Sequence, residues 1–166
     1  MDTTHMNNSI HPATRHSTRR RYNAHVKEAE KEKQRREEVL LANLGWTVEE
    51  SITANKVFLC SEIFVQGRLH ATDKLCVYGE VAVADELECE GNFTLRGVLH
   101  CCTRPAVVKN MIIVHNGIIY GNIVVNAGAY IHGYCTVLGT LTVTGNLKIK
   151  GTLYVKLLVV KYAVTL

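Results

Sequence analysis

The side chains best suited to chemistry in this 166-residue chain are its eight histidines and six cysteines. Together they could hold zinc or pair as base and nucleophile, but either use needs them at recognisable spacings. His70, His100 and His132 are dispersed, His5, His11 and His16 lie in a polar N-terminal stretch, and no HxH or HExxH spacing occurs. Cys60, Cys76, Cys89, Cys101, Cys102 and Cys135 form no CxxC pair, and no apolar leader of the secretory type precedes them. Free thiols in a reducing cytoplasm are the simplest expectation. No phosphate-binding G-x-x-x-x-G-K-[ST] loop is present. The residues therefore predict no catalytic, cofactor or metal site, no small-molecule substrate, and a chain that is not an enzyme. One charged group stands out: Arg15, Arg19, Arg20 and Arg21 could contact an anionic membrane surface, DNA or a partner protein, weakly and salt-dependently.

The elements that would position these residues fall into segments of different texture. Residues 1–21 lack a hydrophobic period and are expected to be a disordered basic arm. Residues 22–45, rich in Glu, Lys, Arg, Ala and Leu with Glu28–Lys31 and Glu32–Arg36 pairs and Gly45 as a stop, predict a charged α-helix. Its apolar end, Val39 to Trp46, could dock on the next domain. Residues 46–54 read as a linker, 55–160 as the folded domain and 161–166 as a C-terminal tail. Hydrophobic residues make up 47% of the chain, enough for a sizeable core, and no uncharged apolar run approaches a membrane span.

The glycines at 67, 79, 91, 97, 121, 133, 139, 145 and 151 are all separated by multiples of six. Cut at that phase, Asn55 to Lys156 becomes a run of hexads such as GEVAVA (79–84), GTLTVT (139–144) and GTLYVK (151–156), with apolar third and fifth places. The pairs include Val57/Leu59, Ile63/Val65, Leu75/Val77, Phe93/Leu95, Met111/Ile113, Cys135/Val137 and Leu153/Val155, and the phase reads as unbroken. Alternation of period two means a strand with one buried face, and glycine suits the corner between strands. Short strands of this kind bury their inward faces only by coiling and stacking. Three hexads per turn stack residues 18 apart and give just under six turns. His70 and His100 then point outward, and Cys89, Cys101 and Cys135 inward. The stretch CCTRPAVVKN (101–110) is irregular and predicts a distorted corner.

This G-x-Φ-x-Φ-x register (Φ apolar), over about Lys56 to Val160, resembles the bactofilins, a family of polymer-forming bacterial cytoskeletal proteins. The resemblance implies an all-β fold: a right-handed triangular parallel β-helix of about six turns. It also implies nucleotide-free, nonpolar filaments joined through their end rungs, which organise cell shape or localise partner proteins in the cytoplasm or at the membrane. The left-handed acyltransferase hexad typically places an aliphatic residue before each glycine. Here Gln66, Tyr78, Glu90, Arg96 and Lys150 occupy such places.

A solenoid has two open ends that expose backbone and core. The chain ends in LYVKLLVVKYAVTL, apolar to the last residue. The expected polymer interface is therefore Val57, Leu59, Ile63 and Val65 at one end, and Leu153, Val155, Leu157, Val159 and Tyr162 at the other. In a rival reading the C-terminal tail folds back as the final strand of the monomer. Charge divides along the stack: residues 51–90 carry a net −4, and residues 91–166 carry +7 with no acidic side chain. Against the self-assembling scaffold stand a non-polymerising binding module capped by the helix and a hexapeptide-repeat acyltransferase.

Overall fold

The computed structural model describes residues 38–41 and 45–166. The expected arm at 1–21, with Arg15, Arg19, Arg20 and Arg21, lies outside the described residues, as do residues 22–37 and 42–44 of the expected helix. Among the described residues there is no helix. The first strands are β1 (Glu38–Leu41), β2 (Trp46–Val48), β3 (Ile52–Val65), β4 (Leu69–Val83), β5 (Leu87–Cys89) and β6 (Asn92–Cys101). They are followed by β7 (Ala106–Val108), β8 (Met111–Tyr120), β9 (Ile123–Val125), β10 (Gly128–Val143), β11 (Asn146–Val160) and β12 (Val164–Thr165).

All the strand pairings are parallel, and most join a residue to the one 18 further along: Val57↔Leu75↔Phe93 and Leu59↔Val77↔Leu95. The result is an all-β parallel solenoid of about seven turns. Third and fifth places point inward, and those columns form one continuous core from Ile52 to Leu147. No polar or charged residue is buried among the described residues, so the alternation alone sorts inside from outside.

The extra turn comes from residues expected to be helix and linker. Glu38–Leu41 is a strand paired with Lys56–Leu59, and Trp46–Val48 pairs with Ile63–Val65. The edge of β3 offers unpaired N–H and C=O groups that a strand satisfies and a helix does not. That requirement overrides the helix propensity of this short stretch.

The six-residue phase is also broken within the solenoid, which corrects its reading as continuous. On the third side of the solenoid, the N–H of the first inward residue bonds to the next rung: Ile52 to the Arg68 carbonyl and the third-place Leu69 to the Glu86 carbonyl, both at 2.8 Å. Pro105 falls at such a place and has no N–H. The corner after Cys101 takes one extra residue, and the Ala106 N–H makes the bond instead, to the Asn122 carbonyl at 2.9 Å. Everything to Val114 shifts with it. Ile112 and Val114 are the inward pair, while Met111, expected inside, is 40% exposed.

A second extra residue at His115–Asn116 brings Gly117, not His115, onto Gly97. That column has no room for a side chain: a Cβ on Gly97 would lie 2.0 Å from the Gly79 carbonyl oxygen. Shorter spacings of 17 residues, as in Ala106↔Ile123 and Ile112↔Ala129, then recover the phase. The irregularity expected at 101–110 is thus a distorted corner with a definite cause.

The tail departs from its first reading as well. β12 folds back over the start of β11 through Leu147↔Val164 and Lys148↔Thr165, so the rival reading of a final strand describes the chain.

Candidate assembly interface

The C-terminal end of the solenoid is built from β11. Each of its inward side chains has a counterpart one rung earlier: Ile149 on Ile131, Leu153 on Cys135, Val155 on Val137, Leu158 on Leu141 and Val160 on Val143. The earlier rung is buried throughout. In the last rung Ile149, Leu153, Val155 and Val160 are only partly buried, and Leu158 is 36% exposed against 2% for Leu141. The difference lies in what comes next along the axis. β12 closes one side by covering Leu147, whose N–H donates to the Ala163 carbonyl at 2.8 Å. Among the described residues no strand covers the other two sides. They present an unpaired β edge over an apolar floor.

Two residues expected on this floor are elsewhere. The corner at Lys156 is one residue short, so Thr140 pairs with Leu157 and Leu141 with Leu158. Leu157 and Val159 therefore occupy outward places and are exposed on the flanks, and Leu158 and Val160 take the inward places. Tyr162 stands in the turn before β12 and is 80% exposed. Around this end lie Lys148, Lys150, Lys156 and Lys161, all exposed and, among the described residues, without an acidic partner.

At the N-terminal end the expectation is corrected more completely. Val57, Leu59, Ile63 and Val65 lie beneath β1 and β2 and are fully buried in the monomer. They form part of the core, not an end face. The signal that would have found the extra rung is the 18-residue rule run backwards, which sets Val39 on Val57 and Val48 on Val65.

The flank of the early rungs is strongly paired. Arg68 meets Glu86 at 2.7 Å, Arg104 meets Glu86 at 3.8 Å, and Lys109 lies 2.8 Å from Glu88 and 3.0 Å from Glu90. The Lys109 hydrogen bond and charge hold the Glu90 carboxyl below its usual range, and Glu88 and Glu90 together raise Lys109. His100 reaches Glu80 at 3.0 Å and stacks on Tyr120 with ring centroids 4.5 Å apart. Among the described residues, the one group spaced as a metal-ligand set is His70, Glu88 and Glu90, whose ligand atoms lie within 4.8 Å of one another.

All six cysteines are free thiols. Burial pushes Cys89 up to about 11, and Cys101 and Cys135 up to about 12, which keeps them protonated and unreactive near neutrality. Cys76 stands at a fourth place, between the inward Leu75 and Val77, and is nevertheless buried.

In comparisons with known proteins the chain matches no family model, no curated protein and no solved structure.

Proposed function

We propose that this chain is a structural, non-catalytic scaffold that self-assembles without nucleotide into filaments by end-to-end packing of its β-solenoids. The observation that carries the reading is the last rung, whose inward residues Leu153, Val155, Leu158 and Val160 lack the cover that every earlier rung has. An unpaired strand edge over an apolar floor is a template for another chain, and natural solenoids cap such ends when they stay monomeric. The G-x-Φ-x-Φ-x register, similar to that of the bactofilins, supports the same reading. On it the filament works in the cytoplasm or at the membrane, organising cell shape or localising partners. The basic arm at Arg15 and Arg19 to Arg21 would contact an anionic membrane surface, DNA or a partner protein.

The test is negative-stain microscopy of the purified chain without nucleotide, beside a Leu158→Lys/Val160→Lys double variant. Filaments in the first and none in the second are expected. A wild-type chain that stays monomeric at high concentration refutes the reading. One observation favours the binding-module alternative: same-end packing gathers the four lysines of each copy, and an anionic partner on this end would relieve that repulsion.

A further inference from the structure

We propose that His70, Glu88 and Glu90 form a binding site for one divalent transition-metal ion, zinc being the best fit. His70 and Glu88 are direct partners on neighbouring rungs, and Glu90 stands two residues further along the same rung. In a tetrahedral zinc site with bonds near 2.0–2.1 Å, neighbouring ligand atoms are roughly 3.4 Å apart. His70 Nε2 and Glu90 Oε1 are 3.5 Å apart.

A second observation points the same way. Among the described residues, His70 Nε2 is the one buried side-chain polar atom without a hydrogen bond of good geometry; its neighbour is the Glu90 carboxylate, at 3.5 Å. A buried nitrogen held only by so long a contact is poorly satisfied, and a metal ion would satisfy it. One imidazole nitrogen with two carboxylates is a zinc-type donor set; calcium and magnesium favour all-oxygen sites.

The Lys109 ammonium now holds the cation's position, bonded to both carboxylates. Its side chain is 47% exposed and can swing into solvent. A dication neutralises both carboxylates and also satisfies His70, which the ammonium does not. The backbone beneath is fixed by the ladder, with the Glu90 N–H donating to the Ala71 carbonyl at 2.8 Å. The ion would clamp successive rungs together. The site is independent of filament assembly.

The test is titration of the full chain with Zn2+ alone, by calorimetry and thermal melting, beside His70→Ala, Glu90→Gln and Lys109→Met. The wild type should take up one equivalent at this site and melt at a higher temperature with the ion. His70→Ala and Glu90→Gln should bind it more than about 100-fold more weakly, beyond the usual effect of losing an outer-shell partner. Lys109→Met should bind it more tightly, since a competing cation is gone. Equal stoichiometry and affinity in the wild type and His70→Ala would overturn the proposal. So would a Co2+ thiolate charge-transfer band that persists in His70→Ala, because it would place the ion on cysteine. Should His70→Ala disturb the metal-free fold, Glu90→Gln decides the matter, since it keeps the side chain's shape and removes only its charge.

Discussion

Gly97 turns a corner at φ 138° directly above Gly79, and the space a Cβ would need is taken by a carbonyl oxygen 2.0 Å away. The conformation and the contact both exclude a side chain. Gly128 is a useful contrast, since the only atom near its Cβ position is the Asn146 carbonyl oxygen at 3.3 Å. Gly97→Ala is expected to destabilise the solenoid by at least about 1–3 kcal/mol, the usual cost of a strained backbone position. Gly128→Ala should cost clearly less, and urea melts of the two variants measure the difference. At the same scale, His70 shows how a residue changes meaning with its neighbours. In the chain it is an isolated histidine; on the rung it faces two carboxylates.

At the scale of elements, the strands obey their alternation and the corners decide the register. Pro105 cannot donate the bond its place requires, so one corner lengthens and the inward pair moves from Met111/Ile113 to Ile112/Val114. β12, only two residues long, has a larger effect than its length suggests because it closes one side of the last rung. A chain ended after Tyr162 uncovers Leu147, whose full burial is worth about 1.5–3 kcal/mol. Its thermal midpoint should fall accordingly. If it melts as the full chain does, β12 is not a structural closure.

At the scale of the whole molecule, charge and open edge meet at one end. Glu86, Glu88 and Glu90 on the early rungs are paired with Arg68, Arg104 and Lys109, whereas Lys148, Lys150, Lys156 and Lys161 lie around the open C-terminal rung with no acidic partner among the described residues. If copies join through this end, raising salt from about 0.01 M to about 0.15 M shortens the screening length from roughly 30 Å to 8 Å. Assembly should then strengthen, which sedimentation at the two salt concentrations would measure. An anionic partner on the same end would show the opposite trend, with binding lost as salt rises.

The sequence by itself determined the class of fold, the direction of nearly every strand side chain and the apolar character of the C-terminal end. These rest on local rules: period two sorts faces, and glycine marks corners. Only the tertiary structure decided the rest, because it depends on which backbone groups meet one rung away. The Pro105 slip requires knowing which N–H bonds to the next rung. The first rung requires the β3 edge, which makes a strand of a segment whose composition favours helix. The grouping of His70, Glu88 and Glu90 follows from stacking residues 18 apart, a spacing at which chemistry leaves no motif in the chain.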